Sequence, residues 1–297
     1  MSYNMRPAMG NLGIAVLLNL CFAGASAAQS ITVGFPEWPA GMNWLDESEI
    51  AAQFVRRAVT DTLVQAADMS EKGFRLSLAD SLEYRPALGS WLLRLRKGAL
   101  FWNLEPLRLE DVLFSLERCR GQGTLKGVKT IRGHNKEPIP GLIEQWVRIE
   151  WDGSLSSEQS SALPLMLADC PILEASSAEI FGPDLGLGTN VVSLGSFRVS
   201  GFSAGREFVL VRAGPPFSQK EAVESIVLRG FKDSNQALTA LRSGTVDAFF
   251  TNTFEVLEKA KKDETLQVSR CSIYMIVHRK GFNISCNPRL KPAEFRY

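Results

Sequence analysis

The side chains best suited to binding chemistry in this sequence are tryptophans that lie outside its periodic segments. Trp38 and Trp44 follow the first predicted strand, and Trp102 lies in a turn beside the amide side chain of Asn103. Aromatic faces with a few polar groups for orientation are the usual lining of pockets for peptides and sugars. We therefore predict a ligand-binding site at Trp38, Trp44, Trp102 and Asn103. The alternative is that these indoles pack against the rim of their own domain.

The sequence gives little support for catalysis. Residues 201–205 read Gly-Phe-Ser-Ala-Gly, which fits the pattern G-x-S-x-G of a nucleophile on a strand-to-helix elbow. Ser203 lies between two predicted strands, so this elbow is not expected. His134 and His278 are interpreted as surface and strand residues rather than general bases. We predict no catalytic residue, no cofactor and no turnover, and a hydrolase using Ser203 is the least supported alternative.

Charge and cysteine content exclude further functional classes of protein. The formal net charge is +1, which provides no general electrostatic footprint for nucleic acid or an anionic membrane surface. The five cysteines have no C-x-x-C spacing and the chain has two histidines, so no metal site is predicted. Cys119, Cys170, Cys271 and Cys286 can pair in an oxidising compartment, in three connectivities. The favoured interpretation of Cys119 and Cys170 is that they are small buried apolar residues.

The N-terminus has the pattern of a secretory signal. Arg6 precedes an apolar run at residues 12–22, and small residues follow at 23–28. The run is shorter than the roughly 20 apolar residues that a membrane-spanning helix needs. We predict a signal peptide at residues 1–28, cleaved after Ala27 or Ala28, and an exported domain at residues 29–297.

Strands and helices alternate along the exported part and must position the candidate site. Strands are predicted at residues 31–35, 92–95, 147–151, 197–202, 207–212 and 226–231, and helices at 49–67, 159–167 and 235–242. Asp233 or Ser234 is expected to open the last helix and Gly244 to close it. Residues 121–140 are interpreted as a surface excursion. Trp91, Trp146 and Trp151 fall on strands and are interpreted as core. The mixture indicates an α/β or α+β fold with one to two domains.

Residues 92–118 carry the most distinctive pattern in the chain. A strand with a basic turn is followed, after Pro106, by a helix with apolar residues at helical spacing. This stretch resembles the signature of the family 5 extracellular solute-binding proteins, the periplasmic receptors for oligopeptides, nickel chelates and some oligosaccharides that feed ABC importers. The residues kept from the signature are Leu95, Arg96, Gly98, Phe101, Pro106, Asp111, Val112, Phe114, Ser115, Leu116 and Arg118. The chain departs at Asn103-Leu104, where the family prefers Asp-Gly, and at Leu109, where it prefers Ala.

Three further segments resemble the same family in the same order. Residues 78–81 and 190–199 match its segments before and after the signature, although Ser193 and Ser196 replace a Gly and a Pro. Residues 226–250 match its strand-helix-strand unit, in which Asp247 is expected to hydrogen-bond loop backbone groups. Residues 272–282 look like the strand that leaves the first lobe, and residues 273–277 are expected to pair inside the sheet.

The resemblance implies a fold and a function. The expected fold is α/β, with an α+β mixed sheet, in a periplasmic-binding-protein-like lobe of the large peptide-binding type whose second lobe is missing. The expected function is that of the periplasmic substrate-binding component of an ABC importer, which passes an oligopeptide or similar small solute to its permease. The alternative is a single-lobe interaction or scaffold protein repurposed from such a receptor. We also expect self-association or a completing polypeptide, and the sequence leaves open whether the solute is a peptide, a metal chelate or a sugar.

Overall fold

The computed structural model describes residues 29–36, 43–45, 49–66, 73–139, 142–151, 157–213, 223–271 and 274–280. The predicted signal peptide and Trp38 lie outside these residues. The strands are β1 (Gln29–Pro36), β2 (Val64–Ala66), β3 (Phe74–Leu76), β4 (Ala79–Arg85), β5 (Ser90–Leu95), β6 (Val128–Ile139), β7 (Leu142–Trp151), β8 (Phe197–Ser203), β9 (Glu207–Arg212), β10 (Val223–Phe231), β11 (Ala248–Thr251), β12 (Leu266–Cys271) and β13 (Tyr274–Arg279). The α-helices are α1 (Ile50–Val59), α2 (Leu109–Gly121), α3 (Ser157–Ala168), α4 (Ala175–Phe181), α5 (Ser234–Ser243) and α6 (Phe254–Lys261).

Seven strands form the larger sheet, in the order β12-β13-β11-β1-β10-β9-β8. The central strand β1 pairs in parallel with β10 on one side and β11 on the other. The remaining pairs of this sheet are antiparallel. The mixed sheet confirms the predicted fold class, and β13 lies inside it between β11 and β12, as expected for the strand at residues 273–277.

Helices cover the two faces of this sheet. On one face, Phe54 and Val55 of α1 share a buried core with Ile31, Val33 and Phe35 of β1. On the other face, α5 and α6 pack against β11 and β13. This core contains Ala237, Leu238, Leu241, Val256 and Ala260 of the helices and Phe249 and Val277 of the strands. Successive residues of a strand point to opposite faces, which is why Phe249 and Phe250 enter different cores.

A second sheet of four strands, in the order β4-β5-β7-β6, has its own core. Leu93 and Leu95 of β5 pack there with Val147 and Ile149 of β7, beneath α2 and α3. The opposite face of this sheet carries mostly polar and charged side chains. Within the described residues no helix has the length and apolar character to cross a membrane.

Three predictions about elements were wrong. Residues 121–140 are not a surface excursion, because β6 pairs with β7 along most of its length. The outer side chains of β6 face solvent, so the strand has the polar composition of a loop. The helix predicted at residues 49–67 ends at Val59, where Thr60 Oγ1 donates to Arg56 O at 2.7 Å, and the chain continues into β2.

The third correction concerns Trp146. Trp91 and Trp151 pack against the four-stranded core as predicted, but Trp146 is half-buried on the outer face. The register places it opposite Arg94 of β5, whose guanidinium lies 5.8 Å from the indole centroid. Its Nε1 donates to Glu144 Oε2 at 3.2 Å. Strand periodicity alone does not tell which face of a sheet is covered.

Candidate functional site

The candidate ligand site is the edge of the seven-stranded sheet where β10, β1 and β11 end. The chain leaves β1 for α1 on one face of the sheet, and it leaves β10 for α5 on the opposite face. In open α/β sheets, ligands bind outside the carboxyl ends of strands where the connections diverge to opposite faces. Neighbouring parallel strands β1 and β10 meet this condition.

Hydroxyl groups tie the loops at this edge together. Ser234 follows β10, and its Oγ lies 2.8 Å from Thr251 Oγ1 and 3.1 Å from Thr253 Oγ1. Ser234 and Thr251 are buried, and they join the loop after β10 to the loop after β11. Asp233 caps α5 by accepting hydrogen bonds from the amides of Asn235 and Gln236, both at 2.9 Å. These hydrogen bonds hold the backbone of this edge in place.

The exposed residues at this edge include Lys232 after β10, and Asn252, Thr253, Phe254 and Glu255 after β11. Phe254 is 73% exposed, an unusual position for a large aromatic residue. Lys232 supplies a cation and Asn252 an amide, whose Oδ1 accepts from Met275 N at 3.2 Å. An ammonium group, an amide and an aromatic face together suit a solute with a carboxylate and an apolar side chain.

The predicted site residues that the structure describes, Trp44, Trp102 and Asn103, contact other segments of the same chain. Trp38 lies outside the described residues, and in the sequence it comes two positions after Pro36, the last residue of β1. Trp44 is fully buried, and its Nε1 donates to Gly188 O at 2.9 Å. A side chain without accessible surface cannot stack on a solute, so Trp44 is corrected to a core residue.

Trp102 and Asn103 contact other parts of the same chain. Trp102 is half-buried, and its Nε1 donates to Gly195 O at 3.1 Å. Gly195 N in turn donates to Val59 O at the last residue of α1, at 3.0 Å. Asn103 is exposed, and its Nδ2 donates to Glu174 Oε1 at 2.8 Å. Trp44 and Trp102 thus both anchor the segment 186–195 through their indole N–H groups.

The signature helix α2 has a structural role that the sequence pattern did not reveal. Asp111 Oδ2 accepts from Arg108 N at 2.9 Å, and Asp111 Oδ1 accepts from Ala175 N at 2.8 Å. Burial raises the pKa of Asp111, and these two backbone donors oppose that rise. Ser115 Oγ accepts from Leu173 N at 2.9 Å. The Asp and Ser of the signature therefore hold the segment 173–175 against α2.

A second concavity, of about 110 Å³, lies between α1, β2 and the segment after α3. Arg57 Nη2 pairs there with Asp169 Oδ1 at 3.3 Å. Burial lowers the pKa of Arg57 and raises the pKa of Asp169, while each charge partly offsets the effect on the other. Arg56 and Asp61 complete a lining in which positive and negative charges balance. This concavity consequently offers no excess charge to select a solute.

The catalytic alternative has no geometric support. Ser203 ends β8 and is followed by a turn into the antiparallel strand β9, so it does not lie on a strand-to-helix elbow. His278 is buried in β13, where its Nε2 lies 3.0 Å from Ser269 Oγ and its Nδ1 lies 3.0 Å from Arg279 O. Among the described residues no cluster of three His, Cys, Asp or Glu side chains could hold a metal ion.

Sequence reasoning missed Lys232, Asn252 and Phe254. A signal for them exists, because each comes within three residues of the end of a strand. This signal can be used only when the strand order is known. That order identifies β1 and β10 as the neighbouring strands whose connections leave on opposite faces of the sheet, which is the switch point.

Comparison with solved structures finds proteins with the same fold. MoaA from A. tumefaciens, in complex with mannopinic acid, has a TM-score of 0.67 at 18% identity, covering 82% of this chain and 49% of its own. The nickel ABC transporter protein of Bacillus halodurans has a TM-score of 0.62 at 20% identity, with 81% and 46% covered. DppA of Helicobacter pylori, in complex with the peptide STSA, has a TM-score of 0.63 at 17% identity, with 82% and 50% covered. The chain spans about half the length of these proteins.

The family comparison is more specific than the shared fold. No curated protein shows significant similarity to this chain. The model of the bacterial extracellular solute-binding proteins, family 5 Middle, matches residues 74–297, which include the signature helix, the ends of β10 and β11, and β13. The members of this family are binding proteins rather than enzymes. This chain belongs to the bacterial extracellular solute-binding proteins of family 5.

Proposed function

We propose that this protein is the periplasmic substrate-binding component of an ABC-type importer of the peptide class. It binds an oligopeptide or a similar small solute and delivers it to the membrane permease. The observation that carries the proposal is the placement of Lys232, Asn252 and Phe254 at the switch-point edge, in a member of a solute-binding family. Trp38, which lies outside the described residues, remains a predicted contact of the solute.

Lys232 and Phe254 favour a solute that carries a carboxylate and an apolar part, and the exposed Glu255 beside Phe254 suits an ammonium group of the same solute. The ammonium group of Lys232 attracts a carboxylate, and Phe254 offers an aromatic face to an apolar or planar group. Burial of one aromatic side chain contributes about 1.5–3 kcal/mol. Peptides and amino-acid chelates carry both a carboxylate and side chains, whereas neutral sugars carry no carboxylate. The edge therefore supports peptide-class solutes over sugars.

The test is to titrate the purified protein with a tetrapeptide pool, a nickel–histidine chelate and a neutral oligosaccharide. Binding is measured by calorimetry and by tryptophan fluorescence. Phe254→Ala and Lys232→Ala should each raise the Kd for the bound class by about tenfold or more. Ile180→Ala is the matched control for Phe254, because Ile180 is 72% exposed on α4. Lys97→Ala is the control for Lys232, because Lys97 is exposed in the turn after β5.

The tryptophans can be separated by the same titration. Trp38→Phe should weaken binding and reduce the fluorescence change, whereas Trp44→Phe should lower stability without a matching change in Kd. We keep Trp102 and Asn103 as predicted contacts, tested by Trp102→Phe and Asn103→Ala. Tight binding that none of the edge variants alters would place the site elsewhere. Failure to bind any of the three classes would favour the scaffold function.

Export is the remaining part of the proposal. We propose that residues 1–28 direct the chain to the periplasm and are removed there. N-terminal sequencing of protein from the periplasmic fraction should find a chain that begins at Ala28 or Gln29. Periplasmic protein that still begins at Met1 would contradict cleavage.

A further inference from the structure

Two cysteines that the proposed function does not use lie together in the core beneath the four-stranded sheet. Cys119 is 1% exposed near the end of α2, and Cys170 is 0% exposed just after α3. Both are free thiols. Cys170 Sγ lies 3.4 Å from Met166 O, and it also makes a side-chain contact with Cys119.

A ladder of contacts between α2 and the segment 170–175 explains why the cysteines meet. Asp111, Ser115 and Cys119 are spaced four residues apart, so they share one face of α2. Ala175 N donates to Asp111 Oδ1 at 2.8 Å, and Leu173 N donates to Ser115 Oγ at 2.9 Å. Four helical residues rise about 6 Å and two extended residues span about 6.6 Å. Contacts between α2 and the segment can therefore repeat every four residues of the helix and every two residues of the segment. The next step along this antiparallel pair places Pro171 level with Cys119, and the adjacent residue Cys170 contacts the Cys119 side chain.

We propose that Cys119 and Cys170 form a disulfide in an oxidising compartment and so fasten the segment 170–175 to the signature helix. Each thiol loses its proton, the two sulfurs bond, and two electrons reduce a disulfide donor such as oxidised glutathione to its thiol form. The chemistry depends on the thiol geometry alone. Its relevance to the cell rests on the proposed export, because cytosolic thiols are kept reduced.

The surroundings of the thiols determine when the bond forms. Burial and the neighbouring Cys119 thiol raise the pKa of Cys170, so little thiolate is present in the folded protein. Exchange in the native state is consequently slow, and oxidation occurs while the chain folds. The same burial protects the finished disulfide from reducing agents. A disulfide that encloses the 50 residues between its two ends should raise the Tm by about 5–10 °C.

The test is to refold the reduced, denatured protein in a buffer of reduced and oxidised glutathione, block free thiols, and digest without reduction. A glutamyl endopeptidase separates the cysteines cleanly, because Cys119 lies in peptide 118–137, Cys170 in 159–174, and Cys271 with Cys286 in 265–294. We expect peptides 118–137 and 159–174 to be joined in most molecules. We also expect the joined protein to melt above the same protein after complete reduction.

Controls distinguish this pair from the other thiols. The double variant Cys271→Ser/Cys286→Ser should retain the joined peptides and the difference in Tm, whereas Cys119→Ser and Cys170→Ser should each lose both. Recovery of both peptides in blocked, unjoined form from refolded protein would overturn the proposal, as would pairing of either cysteine with peptide 265–294. These results are independent of solute binding, because the thiols lie in the four-stranded core and the proposed site lies on the other sheet.

Discussion

Asp247 and Thr32, 215 positions apart in sequence, are joined by two reciprocal hydrogen bonds. Thr32 N donates to Asp247 Oδ2 at 2.8 Å, and Asp247 N donates to Thr32 O at 2.8 Å. The pair continues the short parallel ladder of β1 and β11, which has the two register pairs Val33–Ala248 and Gly34–Phe249. The expectation that the Asp247 side chain hydrogen-bonds backbone groups is confirmed, but its partner belongs to the central strand of the sheet rather than to a loop.

Asp247→Ala should therefore destabilise the protein by about 2 kcal/mol, because it removes a charged acceptor and leaves the Thr32 amide N–H without a hydrogen-bond partner from the side chain of residue 247. Asp247→Asn keeps a carbonyl oxygen and should cost less than about 1 kcal/mol. Asp80→Ala is the control, since Asp80 is an exposed carboxylate 3.7 Å from Arg96 and such surface pairs contribute little. Urea unfolding of the three variants measures these differences. Equal losses for Asp247→Ala and Asp80→Ala would refute the structural role.

Gly195 packs directly on the end of α1, and a larger residue there should not be tolerated. A Cβ at this position would lie 2.2 Å from the carbonyl carbon of Val59 and 2.3 Å from its oxygen. Gly195→Ala should cost about 3 kcal/mol or more, because backbone atoms have to move. Gly201→Ala is the matched control, since its Cβ would meet Val209 at 3.6 Å, an ordinary contact. Thermal unfolding that is equally affected by both substitutions would contradict this prediction.

The local elements were largely predictable from the sequence, because periodicity and capping residues report them directly. α5 begins with Asp233 as its N-cap and ends at Gly244 in a left-handed conformation, as predicted. The secondary structure of residues 121–140 was not predictable, because an exposed strand face and a loop share the same polar composition. Its strand character depends on pairing with β7, which is a tertiary contact.

The candidate site was less predictable than the fold. Trp44 and Trp102 occur in non-periodic segments, where aromatic residues can either bind a solute or anchor the chain. Only their hydrogen bonds to Gly188 and Gly195 distinguish these roles. The switch-point edge depends on strand order, which places β1 between β10 and β11 although these strands are distant in sequence. Neither composition nor spacing reports that order.

Leu104 occupies a backbone conformation that suits glycine. Its φ is +68°, and its amide donates to Phe101 O at 2.9 Å in the turn before α2. The signature of family 5 has Asp-Gly where this chain has Asn103-Leu104, so the family prefers glycine at the position of Leu104. A left-handed conformation costs a residue with a Cβ about 1–2 kcal/mol, whereas glycine avoids that cost but loses about 0.5–1 kcal/mol in chain entropy.

Leu104→Gly and Leu104→Asn should accordingly raise stability by about 0.5–1 kcal/mol, because asparagine also tolerates this conformation. The side chain of Leu104 is 70% exposed, so its removal forfeits little packing. Leu104→Ala is the control, since alanine retains the Cβ and should give no gain. Chemical denaturation measures all three variants. A stabilisation by alanine equal to that by glycine would show that side-chain exposure, rather than backbone strain, sets the effect.

His278 should make the stability of the protein depend on pH below neutrality. The side chain is 2% exposed between β11 and β12, and burial lowers its pKa while the carbonyl of Arg279 opposes that shift. When the pKa of a base is lower in the folded state, the unfolded state takes up the proton first. The stability due to neutral His278 is therefore complete above the ordinary histidine pKa of 6.5 and declines as the pH falls below it.

This decline is steepest where the unfolded histidine is protonated and the folded one is not, and there it reaches at most about 1.4 kcal/mol per pH unit. His278→Gln should be less stable than the parent at pH 7.5, because glutamine fits the site between Ser269 and Arg279 less well. Its stability should nevertheless fall less between pH 7 and pH 5, so the two curves should converge. His134→Gln, at an exposed position on β6, controls for loss of an imidazole. Urea unfolding at each pH measures the curves, and parallel curves for parent and His278→Gln would show that another group controls the acid dependence.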